Sequence, residues 1–120
     1  FYADADIVAI PSLKEATSIA GLEAMASARA VVATNVGGLP EIIEDEVSGL
    51  LVPPRDPEAL AVAITRLLET PELRKQLGLA ARACVERKFT WDQVANETMR
   101  AYERAIAVWH RRPLPLLAEA

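Results

Sequence analysis

Before Pro53-Pro54 the apolar residues come in short unbroken runs separated by turn residues. Ile7-Val8-Ala9-Ile10, bounded by Asp4 and Asp6 before it and Pro11-Ser12 after it, suits a buried parallel strand, which is covered on both faces and needs no polar alternation. Val31-Val32-Ala33-Thr34 and Gly49-Leu50-Leu51-Val52 predict two more strands. Between the first two, Thr17 or Ser18 can cap a helix that carries Leu22, Met25 and Ala26 on one face and runs to about Arg29. Asn35-Val36-Gly37-Gly38 is a glycine turn, and Pro40 is placed to open a short helix through Ile42 and Ile43.

Beyond Pro53-Pro54 the apolar positions recur only at helical spacing. Asp56-Pro57 is a cap followed by proline at the first helical position, and Leu60, Ile64, Leu67 and Leu68 form the stripe behind it. Thr70-Pro71-Glu72 repeats the start signal for a helix with Leu73, Leu77, Ala81, Cys84 and Val85 on one face and Gly78 as a tolerated weak point. Thr90 and Gln93 form a capping box for a third helix, whose inner face reads Trp91, Val94, Ala95, Thr98, Tyr102, Ile106 and Trp109. That face is expected to be core, with docking onto another domain as its alternative role. Arg111-Arg112-Pro113-Leu114-Pro115 stops the helix and begins an extended tail over 111–120, leaving one domain over 1–110.

The alternation of strand and helix implies right-handed crossovers and a parallel sheet. Three strands are few for such a sheet, so the fold class is α/β, half of a doubly wound Rossmann-like domain with a C-terminal helical segment. The chain has 120 residues, enough for one core. Its formal net charge of −4 argues against a nucleic-acid partner, since phosphate contacts need clustered Lys and Arg. The one cysteine, Cys84, excludes an internal disulfide framework and is expected to be a packed thiol. No stretch is long and apolar enough for a membrane span and no signal-peptide pattern opens the chain, so a cytoplasmic location is expected.

The informative stretch runs from Pro11 to Ala26, from the end of a strand into a helix. In open α/β sheets ligands bind outside the carboxyl ends of the strands, where a helix N-terminus offers unpaired amides to an anion. Glu15 precedes that helix and Glu23 sits about one turn inside it, so two carboxylates bracket the anion site. A carboxylate that accepts two sugar hydroxyls can fix a ribose beside a phosphate.

Glu15 and Glu23, with seven residues between them in a Pro-Ser-x-x-Glu…Glu-Ala-Met-Ala frame, resemble the E-x7-E signature of retaining glycosyltransferases of the GT-B architecture, family GT4. Val31 to Glu41 resembles that family's strand and Gly-Gly-x-Pro-Glu loop, Ser48 to Pro54 its next strand, and Phe89-Thr90-Trp91 its entry into the closing helix. The resemblance implies that the chain is the C-terminal, donor-binding part of an enzyme that transfers a hexosyl or related group from a nucleotide diphosphate sugar. It gives Glu15 a catalytic place beside the transferred sugar and Glu23 the ribose hydroxyls. Ala16, Thr17, Ser18 and Ile19 would receive the diphosphate or sugar, and Gly37 and Gly38 would let backbone approach the ligand in the cleft.

The same resemblance implies a nucleotide-sugar donor as substrate, no cofactor and no metal, and an N-terminal acceptor domain that is missing here. Retention by same-face displacement or through a covalent intermediate both remain open. Ala16-Thr17-Ser18 stands where relatives carry Gly-Phe-Gly, with hydroxyls that can cap the helix or reach the ligand. Ser27-Ala28-Arg29-Ala30 replaces Cys-Gly-x-Pro, a change expected to touch only a turn. The family's basic pair lies upstream, and Lys14 is the only cation beside the motif, so the isolated chain is expected to be inactive. Ile7–Ile10 would lie beside the domain's missing first strand, and its bare edge is expected to give a dimer or swapped oligomer. The alternative reading is a non-catalytic nucleotide-sugar-binding or assembly module. A flavodoxin-like signalling domain ranks last, without its acidic cluster or flavin loop. Asp4-Ala5-Asp6 is read as a helix end rather than a metal motif, and His110 and Arg111-Arg112 as surface charges at a helix terminus.

Overall fold

Branched and small apolar residues from Ala30 to Thr34 form a strand, β2, in which every position is buried. It runs between β1 (Ile7–Ile10) and β3 (Leu50–Val52) in a parallel sheet of order β1-β2-β3. Val8 lies opposite Val31, Ile10 opposite Ala33, and Thr34 opposite Val52. The computed structural model describes residues 2–111, which fall into two compact units, one through Phe89 and one from Thr90.

Successive side chains of a strand point to opposite faces, so the central strand feeds two cores. Val31 and Ala33 join Ile10, Met25, Leu39 and Ile43 in one; Ala30 and Val32 join Leu50, Val52, Ala63 and Leu67 in the other. β1 is an edge strand among the described residues, and its burial shows it: Ile10 is buried, Ile7 and Val8 are half-buried, and Ala9 is exposed. The fully covered strand that the apolar run predicts is realised at β2 instead.

The first core is closed by α1 (Ile19–Ala26) and α2 (Leu39–Ile42), the second by α3 (Pro57–Glu69). α1 stops short of Arg29 and buries Gly21, Ala24 and Met25, leaving Ala26 exposed. Its end is a Schellman turn: the Ala28 N–H donates to the Met25 carbonyl at 2.9 Å and the Arg29 N–H to the Ala24 carbonyl at 3.1 Å. Ala28 sits there at φ +55°, a left-handed position that favours glycine. α2 begins at Leu39, with Pro40 second. In α3 the Asp56 carboxylate accepts from the Ala59 N–H at 2.8 Å, and Pro57 is the first helical residue as the sequence predicts. The buried stripe there is Ala63 and Leu67, whereas Leu68 is exposed.

α4 (Pro71–Lys88) serves both cores, Leu77 packing into the second and Ala81 into the first. Gly78 lies between them against the carbonyl of Ala28, and a Cβ there would fall 2.3 Å from that oxygen. The residue that reads as a weak point is therefore where the helix touches the turn feeding β2. Cys84 is half-buried against the first core, a packed thiol as expected. Arg66 of α3 grips Glu46 in the turn before β3 with two hydrogen bonds. The guanidinium holds the Glu46 carboxyl below its ordinary range.

In the second unit, Thr90 Oγ1 accepts from the Gln93 N–H at 3.3 Å at the start of α5 (Trp91–Arg111). The predicted inner face of this helix is exposed, with Trp91 at 89% and Trp109 at 66%, so it is not core within the described residues. Periodicity marks an apolar face but does not say what covers it. Arg111 closes the helix rather than opening a tail, and the rest of the predicted tail lies outside the described residues. No helix among the described residues is long and apolar enough to cross a membrane.

Two substitutions test the α1–α4 contact in opposite directions. Ala28→Gly relieves the left-handed strain and is expected to raise stability by about 0.5–1 kcal/mol. Gly78→Ala pushes backbone against backbone and is expected to cost about 2–3 kcal/mol. Urea unfolding of the chain and both variants measures both shifts, and an unchanged midpoint for Gly78→Ala would remove the contact from the account.

Candidate functional site

The loops that follow β1 and β2 at their carboxyl ends are locked together through their backbones. The Gly38 N–H donates to the Glu15 carbonyl at 3.3 Å. A Cβ on Gly37, which sits at φ +53°, would lie 1.7 Å from the Glu15 oxygen, and one on Gly38 2.0 Å from the Ala16 oxygen. Gly37 and Gly38 are thus required by the approach of the Glu15 loop itself. Thr34 adds a second tie, its hydroxyl donating to the Ser12 carbonyl at 2.5 Å. The sequence pattern reads Thr34 only as a strand residue and misses this.

The same loop places Glu15 half-buried, its Oε2 accepting from the Ser12 hydroxyl at 3.2 Å. Ser18 is the residue that caps α1. It is 3% exposed, and its Oγ accepts from the Gly21 N–H at 3.2 Å. The Ser18 oxygen therefore caps the helix from a buried position, while the Thr17 side chain is exposed with no hydrogen bond among the described residues. The backbone amides from Ala16 to Ala20 donate to no acceptor among the described residues. Ala16, Thr17 and Ile19 are exposed, so the mouth of α1 is open. Glu23 is exposed four residues beyond Ile19, about 6 Å along the helix axis, on the same side of the helix as Ile19. Its carboxylate has no partner among the described residues.

A hollow of about 430 Å³ opens beside this loop, lined by Leu13, Lys14, Glu15, Ala16, Val36 and Gly37. A neighbouring one of about 190 Å³ shares Leu13 and is lined by Thr34 and Arg55. Arg55, at φ +61° in the loop after β3, is exposed. Lys14 is thus not the only cation at the carboxyl end of the sheet. The one sequence signal for Arg55 is its place between Pro53-Pro54 and the Asp56 cap. Asp4 and Asp6 lie at the opposite end of β1: Asp4 closes a 3-10 turn, Tyr2–Asp4, and Asp6 pairs with Arg74 at 3.5 Å.

Residues 1–70 match the family described as Glycosyl transferases group 1. The chain belongs to this family. An uncharacterized glycosyltransferase of Methanocaldococcus jannaschii is 40% identical over 110 residues, covering 92% of this chain and 28% of that protein. Among solved structures, sucrose-phosphate synthase from Thermosynechococcus elongatus superposes with a TM-score of 0.81 at 37% identity, over 89% of this chain and 27% of that one. Anabaena HepE in complex with UDP-glucose superposes with a TM-score of 0.73 at 28% identity, over 87% and 28%. The chain spans about a quarter of the length of the curated relatives it matches. The fold expected from the resemblance, half of a Rossmann-like α/β domain, is the fold observed.

Gly37→Ala separates the loop lock from the donor chemistry. Strain at positive φ and the overlap with the Glu15 carbonyl together are expected to cost about 2–4 kcal/mol. Amide exchange should show faster opening of the Gly38 N–H, which donates to the Glu15 carbonyl, than in the parent, and unchanged protection there would count against the lock.

Proposed function

We propose that this chain is the donor-binding part of a longer GT4-type retaining glycosyltransferase, and that its ligand is a nucleotide diphosphate sugar. The observation that carries the reading is the open mouth of α1, with its unpaired amides from Ala16 to Ala20 set between the carboxylates of Glu15 and Glu23. A helix N-terminus of this kind stabilises a diphosphate through directed N–H groups and the positive end of the helix dipole. Glu23 then accepts the ribose hydroxyls, and Glu15, held by Ser12 and the Gly37-Gly38 lock, faces the transferred sugar. The neighbour that holds UDP-glucose supports the ligand class.

In mechanism, the chain's own contribution is to bind and orient. Rigid backbone contacts fix Glu15 before substrate arrives, so little ordering is left to be done on binding. The amides neutralise charge on the leaving diphosphate as the glycosidic bond breaks. Arg55, at the same end of the sheet, adds a cation within the domain, and an acceptor domain upstream would supply the second substrate. Without that domain the chain alone transfers no sugar.

The edge of β1 extends the reading to assembly. Its outer backbone groups pair with no described strand, and unpaired edges recruit other strands. In the longer protein an upstream strand fills the place; in the isolated chain a second copy does. Sedimentation of the isolated chain is expected to show self-association that grows with concentration, and a strictly monomeric profile would overturn this part.

The donor site is tested by titrating the longer protein with UDP-, GDP- and ADP-sugars, comparing wild type with Glu23→Ala. Loss of the charge-assisted bonds to two ribose hydroxyls is expected to weaken the best donor about a hundredfold. Equal affinity in the two proteins would remove the ribose role.

A further inference from the structure

At the amino ends of the strands, opposite the α1 mouth, the fold gathers three cations around one cavity. Arg29 immediately precedes β2, and Arg74 and Lys75 lie in the first turns of α4. With Asp6 and Leu79 they line a cavity of about 320 Å³. That volume is at the lower end of small-molecule sites, which suits a small ligand and not a nucleotide sugar.

The cations there are incompletely used by the protein. Arg29 donates one Nη1 bond to the Ala5 carbonyl at 3.3 Å, while its Nε is buried with no partner among the described residues. A buried guanidinium N–H without an acceptor is uncommon in folded proteins. Arg74 donates to the Leu67 carbonyl at 3.2 Å and reaches Asp6 at 3.5 Å, but the Asp6 side chain is 77% exposed and screened by water. Lys75 has no partner among the described residues. The one carboxylate on the cavity is therefore outnumbered and weakly held. The N-terminus of α4 borders the cavity through Pro71, and beside it the amides of Glu72 and Leu73 have no acceptor among the described residues.

We propose that this cavity binds a small phosphate dianion, inorganic phosphate or a phosphomonoester, between Arg29, Arg74 and Lys75. Guanidinium groups match the oxygen spacing of phosphate with paired bonds, and the ammonium adds a point charge. The dianion displaces Asp6 from Arg74 and accepts from the part of the Arg29 guanidinium that lines the cavity, with the buried Nε–H next to it as the reporter. The site is independent of the donor reading, since it shares no residue with the α1 mouth.

The test is a titration of the 15N-labelled 120-residue chain with inorganic phosphate, and separately with glycerol phosphate, read by the Arg29 Nε–H resonance and the amides of Glu72 and Leu73. These signals are expected to shift saturably with both probes, and chloride at equal ionic strength is expected not to move them. Lys75→Ala, a surface change that touches no packed group, should weaken both probes about tenfold, and Arg74→Gln should do so too. Saturable shifts with glycerol phosphate but not inorganic phosphate would still place the ligand here and assign it as a phosphomonoester. Shifts confined to the amides of Ala16 to Ala20, no saturable shift, or equal affinity in Lys75→Ala would each overturn the proposal.

Discussion

The site in this chain rests on two backbones approaching closer than any side chain would allow. Gly37 and Gly38 lie against the carbonyls of Glu15 and Ala16, so the loop after β2 props the loop after β1. That contact fixes where Glu15 stands, beside the first amides of α1, which have no acceptor among the described residues. A side chain at either glycine would drive the loops apart, and the acid and the helix mouth would lose their common frame. The parallel sheet makes the contact possible, because it delivers both loops to the same end of neighbouring strands.

Strands and caps were legible because each is written locally. An unbroken apolar run, Asp56-Pro57, and Ser18 ahead of a helical stripe each specify their own geometry, and β2, α3 and the α1 cap follow. What was not legible is what depends on a distant partner. Gly78 reads as a helix weakness until Ala28 is seen beneath it, and Ala28 reads as an ordinary turn residue until its left-handed φ is known. Ser18 could be placed at a cap or at a ligand from sequence, and the Gly21 bond shows its oxygen in the cap.

The exposed stripe of α5 shows the same limit from the other side. Trp91, Tyr102, Ile106 and Trp109 recur at helical spacing, and that spacing alone assigns them to an interior. A stripe of this kind specifies that something apolar should cover it without specifying which element or chain. Burial of β1 follows the same logic: its sequence is as apolar as that of β2, yet only the central strand is covered on both faces.

Net charge has a comparable weakness as a guide to ligands. The chain's −4 is an average over all its residues, whereas binding responds to the groups within a Debye length, about 8–10 Å at physiological ionic strength. Folding sorts the charges unevenly between the two ends of the sheet. Glu15 and Glu23 flank unpaired amides at the carboxyl end, while Arg29, Arg74 and Lys75, distant in sequence, meet at the amino end. The turn that ends α1 and the contact of Gly78 with Ala28 bring that second group together, so the packing that sets α4 against β2 also builds a basic cavity on an acidic protein. An anion there is answered by local charge, and the acidic total does not forbid it.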